Sequence, residues 1–194
     1  MFPPHGALAD ASRLSRIPRS WGAAADALLL LGAGTAAAAL AVFVDLGLRI
    51  PGHAILPTVV PVALGMALVP RRGAGSAAGA AAFAAAGLMG GFPRTVGWGS
   101  FASLVLTGPI LDLALRRPRS GAGLYLGLAL AGLAANMLSF GVRLGAKVAF
   151  HDGGRPLAQW WPVASVSHAA CGAAAGLLAA ALFFRWRPPA GTRA

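Results

Sequence analysis

Six apolar stretches, each near the length that crosses a bilayer, follow one another in 194 residues and leave little chain for anything else. They run from Trp21 to Val44, His53 to Val69, Gly75 to Phe92, Trp98 to Leu115, Gly121 to Val148 and Trp160 to Phe184. A spanning helix needs about 20 predominantly apolar residues, because the hydrocarbon core is about 30 Å thick and a helix rises 1.5 Å per residue. The connections hold from a few residues to about a dozen, too few for a catalytic domain between helices. The sequence therefore predicts an all-α membrane protein, a compact bundle of six transmembrane helices over residues 21–186. A cytoplasmic segment at 1–20 precedes it and a disordered cytoplasmic tail at 187–194 follows. The first segment lacks a signal-peptide pattern, so the first helix is expected to stay in the mature chain.

Composition agrees with that reading, since 57% of residues are hydrophobic, 11% are charged and the mean hydropathy is +0.71. The abundance of Ala and Gly suits a bundle whose backbones approach closely where no hydrophobic effect drives helices together. A lone Cys171 excludes an internal disulfide framework and reads as a small packing residue.

A formal net charge of +11 would suggest nucleic acid in a soluble protein, but here the cations sort onto alternate connections. Arg13, Arg16, Arg19, Arg71, Arg72, Arg116, Arg117, Arg119, Arg185, Arg187 and Arg193 fall on one side, eleven in all. Arg49, Arg94, Arg143, Lys147 and Arg155, five in all, fall on the other. Cytoplasmic connections carry the Lys/Arg excess, so both termini are expected inside a multi-pass protein of the inner (plasma) membrane. Anionic lipid headgroups account for the basic rim, and no nucleic-acid partner is expected.

Polar residues within the spans mark the candidate site, because they are costly in lipid and turn toward the bundle interior. In the fifth stretch Asn136, Ser139, Arg143 and Lys147 are spaced i, i+3, i+7 and i+11 and share one helix face. With both termini inside, that stripe descends from the external surface. Arg143 reads either as an anion-recognising residue facing inward or as a cation reaching external headgroups, while Lys147 reads as a cation reaching toward headgroups. His168 sits at comparable depth in the sixth stretch. Trp98, Trp160 and Trp161 mark the external boundary, either as an aromatic belt or as a lip that covers a flat ligand. His53 lies at the mouth of a stretch punctuated by Pro51, Pro57, Pro61 and Pro70, whose irregular backbone belongs where it lines a cavity. Asp26 and Asp112 read as locally paired, with Arg19 and with Arg116 or Arg117. Four scattered histidines make no metal centre, no phosphate-binding glycine motif is present, and no acid, base and nucleophile converge. Neither a cofactor nor an enzymatic activity is expected.

An Ala-rich first helix, the Pro-broken segment RIPGHAILPTVVPVALGMAL at 49–68 and the fourth-helix ending TGPILDLALRR at 107–117, set in six helices, resemble the substrate-binding S component of energy-coupling factor (ECF) transporters. The resemblance implies a membrane subunit that binds a vitamin-like or other small organic molecule and works with a transmembrane coupling subunit and ATP-binding-cassette ATPase subunits. It implies that the small-residue spacing of Ala33, Ala37 and Ala41 docks on the coupling subunit. It also implies an external pocket lined by the last three helices, where Asn136, Ser139, Arg143, Trp160, Trp161 and His168 fall. His5, behind Phe2, Pro3 and Pro4, does not match the metal-binding members of that family. The alternative is a ligand-free scaffold resembling the cell-shape proteins of wall synthesis.

Overall fold

The computed structural model describes residues 22–44, 50–90, 97–116, 121–150 and 157–184, with side chains in the last segment from Trp161 onward. The expected cytoplasmic segment 1–20, the tail 187–194 and the side chain of Trp160 lie outside the described residues. Among those residues are six α-helices: α1 (Ala23–Phe43), α2 (Leu56–Leu68), α3 (Ala74–Leu88), α4 (Gly97–Ala114), α5 (Ala122–Phe150) and α6 (Leu157–Phe183). A 3₁₀ turn at His53–Ile55 leads into α2.

Three helices are long and apolar enough to cross a membrane: α1, α5, and α6 from Trp161 onward. The other three helices have 13, 15 and 18 residues. At 1.5 Å per residue, α2 is only about 20 Å long. It is also the most enclosed helix. It packs against α1, α3, α4 and α6, and Thr58, Val59, Pro61, Val62, Ala63, Gly65, Met66 and Ala67 are buried within it. The remaining helices surround it, α1 against α3, α3 against α4, α4 against α5 and α5 against α6. Pro57 falls in the first turn of α2, where a missing N–H costs nothing, and Pro61 leaves one carbonyl of that turn without its helical donor. The irregular start expected for this stretch is realised as the 3₁₀ turn, entered through Gly52 at φ +90°.

Small residues let the helices approach closely in the interior, beside buried Ile55, Met66, Leu104, Leu111 and Phe184, and large apolar side chains are also exposed on the outer surface. Leu28, Leu88, Leu113, Leu126, Phe150 and Val166 are exposed on five different helices. Inside, backbones touch. A Cβ on Gly108 would strike the carbonyl of Gly75, so α4 crosses α3 at glycine on glycine; a Cβ on Gly132 would strike the carbonyl of Gly172, which does the same for α5 and α6. Such approach gains van der Waals contact and brings backbone dipoles together without side-chain ordering.

The stripe on α1 is used in this way too. Ala37 is fully buried, Gly34 faces the backbone of Ala78 and Ala82, and the Ala33 methyl lies where a Cβ on Gly65 would go. Ala33 and Ala41 are half-buried, and Ala41 packs on the core. Of Ala33, Ala37 and Ala41, expected on a face that docks a coupling subunit, Ala37 is thus taken up inside the chain and the other two keep part of their surface exposed. Gly34 and Ala33 bring α1 close to α3 and α2, and composition alone could not distinguish a neighbouring helix from a partner subunit.

At the end of the bundle where α3 starts, Gly73 is the N-cap residue and offers no side chain. The Asp112 carboxylate on α4 supplies the cap instead, accepting from Gly75 N at 3.1 Å, Ser76 N at 2.7 Å and Ser76 Oγ at 2.7 Å. A carboxylate at a helix N-terminus meets orphan donors and the positive end of the dipole together. Asp26 pairs with Arg71 at 2.6 Å, tying the start of α1 to the turn before α3. Arg19, its expected partner, is outside the described residues.

Candidate functional site

At the opposite end, a cavity of about 550 Å³ opens between the segment 50–55, the first turns of α4, the second half of α5 and the middle of α6. That volume lies within the range of about 300 to 1,000 Å³ in which small-molecule sites fall. Of the residues singled out from sequence, His53, Asn136, Ser139, Arg143 and His168 line it. Lys147, read as reaching for headgroups, lines it too. Trp161 is exposed on α6 and is not part of the lining, whereas Trp98, on α4, is. The Trp98 indole lies nearly parallel to the Phe150 ring, with centroids 6.2 Å apart.

Asn136 holds the site together. Its Nδ2 donates to the carbonyl of Gly52 at 3.0 Å and to that of His168 at 2.7 Å, joining the segment before α2 to both α5 and α6. Two carbonyls facing one amide fix its orientation, because only the NH₂ end can donate to both. Gly52 makes the approach possible. A Cβ there would lie 2.7 Å from His168 Cα and 2.9 Å from His168 Cγ, and its φ of +90° is in the left-handed region that favours glycine.

The neighbouring polar groups are also committed to backbone. Ser139 Oγ donates to Ala135 O at 2.8 Å, and Ser103 Oγ donates to Ser100 O at 2.8 Å. Thr58 Oγ1, at 3.3 Å from Ser103 Oγ, must therefore be the donor of that pair. His168 Nδ1 faces Ala164 O at 2.7 Å and His53 Nδ1 faces Ile50 O at 2.6 Å; a carbonyl only accepts, so both Nδ1 atoms carry hydrogen. The His168 ring is held against Phe140, centroids 4.5 Å apart and tilted by 38°.

Arg143 rises from this floor to the rim. A Cβ on Gly99 would come within 3.0 Å of Arg143 Cβ and 3.4 Å of its Cδ, so the glycine on α4 gives the arginine stem its path. Arg143 and Lys147 are exposed at the mouth, four residues apart on α5. Among the described lining residues there is no carboxylate.

Sequence reading did not single out Ser100, Ser103, Gly52, Gly99 or Phe140. The i, i+3 pair of serines following Trp98 is the pattern that points to the first two, since it places hydroxyls on one face at the depth of the α5 stripe. Among the described residues, no three His, Cys, Asp or Glu side chains come together as a metal would require. No protein-family model, curated protein or solved structure matches the chain.

Proposed function

We propose that the chain is a six-span membrane subunit that captures a small organic molecule in this cavity and passes it to a partner ATPase module, as the resemblance to ECF S components implies. The observation that carries the reading is the cavity itself. Polar side chains from three helices and one irregular segment converge on a space of small-molecule size, closed on one side by a backbone turn that Asn136 holds in place. The large apolar side chains exposed around the bundle are what a lipid-facing surface presents. The eleven-to-five cation asymmetry supports this reading, because termini on the cation-rich, cytoplasmic side would leave the cavity facing outward, as uptake requires. With Ala37 buried, a coupling subunit would meet α1 along exposed residues such as Leu28, Leu31 and Phe43.

Two measurements on the full chain test this. Reporters fused at Arg72 and after Arg187 are expected to be cytoplasmic, and those at Arg94 and Asp152 external; an external C-terminus would turn the cavity inward and end the uptake reading. Purification from native membrane should bring along ATP-binding-cassette subunits and, by mass spectrometry, a bound small molecule. Recovery of wall-synthesis proteins with no small molecule would favour a scaffold.

A further inference from the structure

The hydrogens around the cavity are distributed unevenly, and that unevenness describes the molecule that fits. At the floor every hydrogen on the key side chains is already committed. Asn136 gives both Nδ2 hydrogens to the carbonyls of Gly52 and His168, leaving its amide oxygen. Ser139 gives its hydroxyl hydrogen to Ala135 O, leaving Oγ lone pairs, and Ser103 gives its own to Ser100 O. His168 and His53 each commit Nδ1–H to a carbonyl, so in the neutral ring Nε2 is a bare acceptor. Asn136, Ser139 and His168 are buried, so acceptors left unmet there are costly. At the rim the situation is reversed. The exposed Arg143 guanidinium offers only donors and positive charge.

We propose that the cavity takes a ligand with two chemically distinct ends, an anionic group held at Arg143 and an N–H or O–H donor group seated on the acceptor floor of Asn136 and Ser139. The inference rests on the reading of the cavity as a small-molecule site and narrows it to a class: small acids bearing an amino, amide or hydroxyl group at the far end. Along α5, Ser139 and Arg143 are four residues apart, an axial separation of about 6 Å, so one aromatic ring between the two groups spans the distance. Trp98 and Phe140, both in the lining, offer apolar faces to such a ring. An organic cation finds no described carboxylate in the lining, and an ester or amide finds no use for the rim.

Three small compounds of one shape separate these terms on the detergent-solubilised full chain, freed of co-purified molecules and followed by calorimetry: 4-aminobenzoate, 4-(dimethylamino)benzoate and 4-aminobenzamide. 4-Aminobenzoate should bind about tenfold more tightly than the dimethylamino compound, which leaves floor acceptors dry, and about tenfold more tightly than the uncharged amide. Ser139→Ala should shrink the first difference and spare the second, and Arg143→Ala should do the converse. Equal affinity for the amino and dimethylamino compounds, or no binding of any of the three at millimolar concentration, overturns the two-ended ligand. A small molecule found co-purifying would in that case keep the binding-subunit reading standing. Absence of both would remove the two together.

Discussion

Replacing Asn136 probes the most constrained polar contact in the molecule, and the outcome depends on which atoms face it. Asn136→Ala deletes both donors to the carbonyls of Gly52 and His168. Side-chain hydrogen bonds between membrane helices average about 0.6 kcal/mol and reach about 1.7 kcal/mol, so two bonds of good length predict a loss of about 1 to 3 kcal/mol. Asn136→Asp preserves the shape and costs more. Both facing groups are carbonyl oxygens at 2.7 and 3.0 Å, so the introduced carboxyl must hold a proton to make even one bond. Keeping that proton at pH 7, against an ordinary aspartate value near 3.9, costs about 4 kcal/mol at 1.36 kcal/mol per pH unit. With one bond still lost, the total is about 5 kcal/mol. The sign with pH follows from proton counting: the folded variant binds a proton that its unfolded chain releases, so stability rises as pH falls, by about 1.4 kcal/mol per unit above pH 4. Thermal unfolding in detergent, followed by tryptophan fluorescence at pH 5 and pH 8, measures this for the parent and both variants. An aspartate variant as stable as the alanine variant at neutral pH, with no recovery in acid, would refute the donor role assigned to the amide.

Other positions give independent checks. Gly52→Ala should cost about 1 to 3 kcal/mol for the left-handed backbone alone, before the collision with His168, and should speed proteolysis of the 50–55 segment. Asp112→Ala should lower stability by about 1 to 2 kcal/mol through loss of the cap on α3, with Asp112→Asn recovering part of it in the same melting assay. Arg143→Ala should weaken binding of the co-purified molecule about tenfold, the lower end for a charge-assisted contact because the residue is partly solvated, and Arg143→Lys should restore only part of this by calorimetry. Arg71→Ala should change the melting behaviour little, by about 1 kcal/mol or less, since the side chain of Arg71 in its pair with Asp26 is 43% exposed.

Helix number and order were legible because apolar runs broken by Gly, Pro and Arg leave no other way to divide the chain. The stripe Asn136, Ser139, Arg143 and Lys147 was legible because polar groups at helical spacing inside an apolar run define a face by themselves. Helix length was less legible. α2 reads as a spanning stretch yet forms 13 helical residues, because hydropathy responds equally to lipid and to a ring of neighbouring helices. For the same reason the α1 alanines could be assigned to small-residue packing but not to a particular neighbour. The capping of α3 by Asp112 was hidden because its partners are 36 and 37 residues away and are mostly backbone N–H groups, which carry no sequence signature. The acceptor character of the floor was out of reach too. Residue types give donors and acceptors in equal supply, and only the Gly52 turn, seated against α5 and α6, shows which hydrogens are already taken.

That turn has a consequence for timing. The 50–55 segment is one wall of the cavity, and it is latched to the helices by the Asn136–Gly52 bond and, more weakly, by the Cys171 thiol at 3.8 Å from Pro51 O. A molecule leaving past this wall must wait for the Gly52 latch to open, while the Asn136–His168 bond keeps α5 and α6 together. At about 1.4 kcal/mol per tenfold, a latch of about 0.6 to 1.7 kcal/mol lengthens the dwell of an occupant by a factor of about 3 to 16 without one additional contact to it. For an occupant that leaves by this route, residence time would depend on a hydrogen bond it never touches.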